Sequence, residues 1–173
     1  MRQPGATNDP AGPEEGPKKF SRFTPRARAS MAVAAKLAGK ANPIDVRHIL
    51  AGSIADDAGL AALALEGMGV TRSQLLELAG AGDVKCGREP GLDELAQLEF
   101  TEAGTAAMRA CLKAALRFGH NYIGTEHLLT GVVTEPADLR AGFEQLGLTP
   151  EGAHSAIMNK IATMTENFGR KRR

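Results

Sequence analysis

Tryptophan is absent from this 173-residue chain, tyrosine occurs once, and aromatic residues make up only 4% of it. β-Branched residues are also sparse, so a large sheet would have little to pack with. The apolar fraction, mostly Ala and Leu, favours helices. Two cysteines, Cys86 and Cys111, form neither a CxxC pair nor a disulfide framework. Cys111 lies on a helical stripe with Met108 and Ala115 and is expected to be buried, whereas Cys86 is expected to be exposed. No apolar run approaches the ~20 residues that cross a bilayer. The start, MRQPGATNDPAGPEEG, lacks the apolar core of a secretion signal, so the cytoplasm is the expected location. Neither sign of charge is in excess. The formal net charge is +1, so nothing in the overall balance points to nucleic acid. Positive charge gathers at the ends, in Lys18-Lys19 with Arg22, Arg26 and Arg28, and in Arg170-Lys171-Arg172-Arg173. No GxxxxGK[ST], Rossmann glycine pattern or HExxH occurs, which excludes a nucleotide loop and a zincin centre of those types.

The chain does contain a duplication. FTPRARASM, 23–31, aligns with FTEAGTAAM, 100–108; VRHILAG, 46–52, with TEHLLTG, 125–131; and LEGMGVTRS, 65–73, with FEQLGLTPE, 143–151. Two copies imply two similar bundles packed about a pseudo-two-fold axis, because each alone would expose an apolar face. Residues 1–20, rich in Pro, Gly and Glu, read as a disordered extension. A body over 21–167 divides into repeat one at 22–79, a linker at 80–99 and repeat two at 100–167, followed by a basic tail at 168–173. The fold class is all-α, a duplicated four-helix repeat with eight helices in total. Helices are predicted over 25–39, 46–54, 58–67 and 72–79, then over 102–118, 125–134, 137–146 and 150–166, with a possible short turn of helix at 92–98. Thr24, Asp45, Thr71, Thr101, Thr125 and Thr149 are placed as their caps. Gly69 and Gly147 close the third helix of each copy.

FGHNYIGTEHLL, 118–129, is the least ordinary stretch, with two histidines seven residues apart, an aromatic pair and a Glu before a Leu pair. His48 and His127 occupy equivalent positions, which points to a structural ring nitrogen bonded within each corner rather than to a metal ligand. Glu126 suits the first turn of a helix, yet its counterpart in copy one is Arg47. That reversal suggests a surface whose halves differ in function. Helix starts at Thr24, Asp45, Thr101 and Thr125 are favourable places for an anion.

These features together resemble the Clp amino-terminal domain, the double four-helix repeat at the front of Clp/Hsp100 unfoldases, especially the ClpC type. The resemblance covers about residues 22–165 and is carried by FTPRAR (23–28), FTEAG (100–104), GHNYIGTEHLLTG (119–131) and the LGLTPE-like ends of the copies. Without an ATPase module, the chain is similar to stand-alone actinobacterial ClpC2-like proteins. The resemblance implies a non-catalytic docking module; the internal match leads to the expectation of a monomer, and the residues themselves to that of no metal or cofactor. The implied partners are Clp adaptors or substrates, arginine-phosphorylated proteins and cyclomarin-type cyclic peptides. It further implies that phosphoarginine is held in each copy by the Thr of the FT start and the Glu of GTEH. By motif this pairs Thr101 with Glu126, and Thr24 with Arg47, so one dominant site is expected. Phe23 and Phe100 are the implied peptide contacts. The alternatives are a basic-tailed helical nucleic-acid-associated protein and an uncharacterised hydrolase.

Overall fold

The computed structural model describes residues 19–170. The expectations for residues 1–18 and 171–173 lie outside the described residues. Repeat one contains α1 (Pro25–Ala38), α2 (Val46–Ser53), α3 (Leu60–Ala64) and α4 (Arg72–Leu78). A short α5 (Leu92–Ala96) follows in the connection. Repeat two contains α6 (Glu102–Arg117), α7 (Thr125–Thr134), α8 (Arg140–Gln145) and α9 (Pro150–Arg170). The described chain is all-helical, with no β-structure among these residues beyond two isolated bridges.

Helix starts follow the sequence chemistry. The Thr24 hydroxyl accepts from the Ala27 amide, and the Thr101 hydroxyl from the Gly104 amide. Thr71 and Gln74 cap α4 reciprocally. Thr125 departs from expectation. Gly124 is extended and occupies the cap, so Thr125 is the first helical residue, and its hydroxyl accepts from the Ala61 amide at 3.2 Å. It therefore ties α7 to the start of α3 in the other copy. The third helix of each copy is broken into a 3-10 turn and a short α-helix, and Gly69 and Gly147 close both with positive φ. α9 continues past residue 167 to Arg170.

The most extensively packed helix pairs are α1 with α2 and α6 with α7, and glycine lets both pack tightly. A Cβ at position 52 would overlap the Ser30 carbonyl oxygen, and one at position 131 would overlap Cys111 Sγ. The two copies join through α2 against α7 and α3 against α7 and α9. Met31, Ile49, Leu50, Ile54, Leu75, Leu128, Leu129 and Ile157 fill one continuous core. Burial on this scale, at about 25 cal/mol per Å² of apolar surface, is the main source of stability.

The connection is tied down rather than loose. Arg28 pairs with Glu89, and Arg72 holds Asp83 and the Val84 carbonyl oxygen. Cys86 is half-buried, where exposure was expected, and burial raises its thiol pKa. Order also begins before residue 21, since Phe20 is buried and packs edge-on to Phe23 with ring centroids 4.8 Å apart.

Candidate functional site: a pocket shared by the two repeats

The corner before each second helix is fastened to the start of the other repeat. The Thr24 amide donates to the Ile123 carbonyl oxygen at 2.8 Å, and the Ile123 amide to that of Arg22 at 2.9 Å. In the other half, the Thr101 amide donates to the Ile44 carbonyl oxygen at 3.0 Å, and the Ile44 amide to that of Glu99 at 2.8 Å. The two exchanges give the parallel bridges Phe23–Ile123 and Ile44–Phe100. Each FT start thus meets the opposite copy's corner.

This crossing corrects the motif-based pairing. Glu126 lines a cavity of about 400 Å³ with Thr24, Thr125, Tyr122 and Arg26. Thr101 is not among its lining residues; its hydroxyl donates to Asp45 Oδ1 at 2.9 Å, at the corner that carries Arg47. Arg47 in turn is paired with Asp138. Thr24 therefore goes with Glu126, and Thr101 with Asp45 near Arg47. Repeat spacing alone cannot reveal a crossing of this kind.

Glu126 is only 4% exposed. Among the described residues no Lys or Arg comes within ion-pair distance of it, because the nearby Arg26 is engaged by Asp56. Burial raises its pKa, partly opposed by a bond from its own backbone amide. Tyr122's own partial burial raises its phenol pKa, and the nearby Glu126 charge adds to that shift. Gly124 makes room for the carboxylate: a Cβ at that position would overlap it.

The histidines are explained by the caps. The Asp45 amide donates to His48 Nδ1 at 3.0 Å, and the Gly124 amide to His127 Nδ1 at 2.8 Å. Each ring thus fills the role that Glu or Gln plays in an ordinary capping box. His127 Nε2 must then carry the ring proton, and it faces His120 Nδ1 at 2.9 Å as donor to acceptor. Burial, reinforced by His120, pushes the His127 pKa down to about 4. Its Nδ1 lies 3.5 Å from Glu126 Oε1, but the ring is neutral, so this contact is not an ion pair. Burial lowers His48 as well, with Asp45 opposing the shift and Arg47 adding to it.

His120, Glu126 and His127 bring possible ligand atoms within 4.8 Å of one another. A cation there would have to take the Nε2 lone pair of His127, which requires its proton on Nδ1, opposite the Gly124 N–H. The donor set therefore favours a hydrogen-bond chain over a metal. Cys111 is buried and its thiol is pushed up to about 12, which leaves it unsuited to nucleophilic chemistry.

Phe23 and Phe100 diverge in role. Phe23 is a core ring, whereas Phe100 is half-buried, with Phe20 6.4 Å away. Lys19 Nζ lies 5.3 Å from the Phe20 ring and 5.4 Å from Phe100, and donates to the Leu98 carbonyl oxygen. The aromatic edge is therefore Phe20–Phe100 with Lys19. Sequence reasoning missed Phe20 because it ends a stretch of Pro, Gly and Glu. Its only signal was a phenylalanine three residues before Phe23.

Comparison with known proteins gives this architecture a family. The model of the Clp repeat (R) N-terminal domain matches residues 22–138 and 99–172. The chloroplastic chaperone protein ClpC2 of Oryza sativa subsp. japonica is 30% identical over 157 residues, which cover 87% of this chain and 16% of that protein. The negative regulator of genetic competence ClpC/MecB of Bacillus subtilis is 28% identical over 152 residues, 83% of this chain and 18% of that protein. The chain thus spans less than a fifth of the length of these curated relatives. The crystal structure of the N-terminal domain of the caseinolytic protease associated chaperone ClpD from Arabidopsis thaliana shares the fold. Its TM-score is 0.54 at 20% identity, covering 83% of this chain and 99% of that one. A duplicated all-helical body matched by the family model over nearly all of its described length belongs to the Clp repeat N-terminal domain family.

Proposed function

We propose that this chain is a non-catalytic docking module that seats the modified arginine of an arginine-phosphorylated protein in the Thr24–Glu126 pocket. The observation that carries the reading is a carboxylate, 4% exposed, on the wall of a cavity of about 400 Å³ and without a cationic partner among the described residues. A guanidinium would supply the missing charge and hydrogen bonds. The start of α1 suits the phosphoryl group. The Thr24 hydroxyl accepts from Ala27, leaving its proton to donate, and the helix start carries positive partial charge. Arg26 can exchange Asp56 for the phosphoryl oxygens.

Membership in a family of unfoldase N-terminal domains supports Clp adaptors and substrates as the partner class. A second recognition mode, for cyclomarin-type cyclic peptides, is favoured at the half-buried Phe100 beside Phe20 and Lys19. The test of the main reading is titration with an arginine-phosphorylated protein and with its dephosphorylated form. Binding should require the phosphoryl group and should fall beyond detection in Glu126→Gln, since truncating a buried charged partner costs about 2–5 kcal/mol. Undiminished binding by that variant overturns the reading.

A further inference from the structure

The outer face of α6 carries exposed leucines beside a row of exposed cations. Leu112 and Leu116 are 53% and 77% exposed, and beside them Tyr122 is 39% exposed. With Ala115 and Ile123 they line a groove of about 530 Å³. Arg109, Lys113 and Arg117 are exposed on the same helix, and none has an ion-pair partner among the described residues. At about 100° per residue, positions 112, 116, 109, 113 and 117 fall in that order across an arc of roughly 140°. The leucines form one edge of the arc and the cations the other. Arg22, also exposed, stands at the rim of the leucine groove. Glu135 lies at the far side of the cationic edge without pairing to any of the three.

We infer that this face docks an acidic amphipathic helix of a partner protein. Charge complementarity selects the occupant. A helix laid along α6 with Leu or Ile in the groove and Glu or Asp along one flank covers the leucines and neutralises the cations in one contact. A nucleic acid would neutralise the cations but leave Leu112 and Leu116 in water. Tyr122 lines both this groove and the Glu126 cavity, so a partner engaged at one is carried to the edge of the other.

The test is fluorescence anisotropy with a labelled peptide of about three heptads, Leu at a and d and Glu at e and g. The controls are the same peptide with Lys for Glu and a single-stranded oligonucleotide. The Glu peptide should saturate the protein, weaken with added salt and outcompete the Lys peptide. Leu112→Ser/Leu116→Ser should weaken it about tenfold or more, and Lys113→Glu/Arg117→Glu should reverse the preference to the Lys peptide. Phosphoarginine binding should persist in the leucine variant, which separates failure here from failure at the Glu126 pocket. Three results overturn the inference: no saturable binding of the Glu peptide, displacement of the peptide by the oligonucleotide with no effect of the leucine changes, or sedimentation showing a dimer that only the leucine changes dissolve. The last of these assigns the face to a second copy of the chain.

Discussion

The Thr24 amide and the Ile123 carbonyl oxygen, 2.8 Å apart, join the start of repeat one to the corner of repeat two. That bond brings Thr24 to Glu126, and its counterpart between Thr101 and Ile44 leads to Asp45 and Arg47. The duplication therefore yields two mixed corners, and their chemistry differs. One has a buried carboxylate without a cationic partner among the described residues, and the other an arginine already satisfied by Asp138.

The Glu126 carboxylate should reduce stability while it enables binding. Its folded pKa is raised, so its contribution is most favourable at low pH and is lost as pH rises through that raised value. Glu126→Gln should therefore melt higher than the unmodified protein at pH 8, by about 3 °C, corresponding to about 1 kcal/mol. The difference should vanish below the ordinary carboxylate range. Thermal denaturation at the two pH values checks it. Binding of a guanidinium needs the ionised form and should weaken as pH falls through the same raised pKa.

His127 should produce the opposite limb. Its folded pKa is depressed to about 4, so its contribution is full above the ordinary histidine value of 6.5 and is lost as pH falls toward 4. Urea titrations across that window should show falling stability. His127→Gln keeps a capping acceptor but cannot titrate there. It should flatten the acid limb, leaving the smaller part due to His48, His120 and His154, while lowering stability at neutral pH by about 1–2 kcal/mol through lost packing.

Much of this fold was legible because local chemistry repeats. Thr24 and Thr101 start helices by capping, and His48 and His127 mark equivalent corners, so each copy announced its own elements. The site was less legible. Thr24 belongs to Glu126 through contacts between distant segments, and a motif repeated in each copy is equally compatible with pairing inside that copy. A shift of one residue moved the α7 cap from Thr125 to Gly124 and freed the threonine to serve α3. Phe20 shows its role only when Phe23 and Phe100 are both in place.

Arg47 and Asp138 should together close the second corner. Arg47→Glu alone sets two carboxylates against each other, because Asp138 remains beside it. The pair Arg47→Glu/Asp138→Ala removes that repulsion. It should raise the phosphoarginine stoichiometry from one site toward two, the new site being the weaker. Calorimetric stoichiometry reads the outcome directly.

The crossed assembly itself is tested most directly by calorimetric titration of phosphoarginine against Thr24→Ala and Thr101→Ala, each alone and with Glu126→Gln, at a temperature where all are folded by circular dichroism. The account predicts one site per chain, weakened about tenfold by Thr24→Ala, unchanged by Thr101→Ala and lost whenever Glu126 is replaced. Weakening by Thr101→Ala with none by Thr24→Ala, or two equal sites in the unmodified protein, would contradict it.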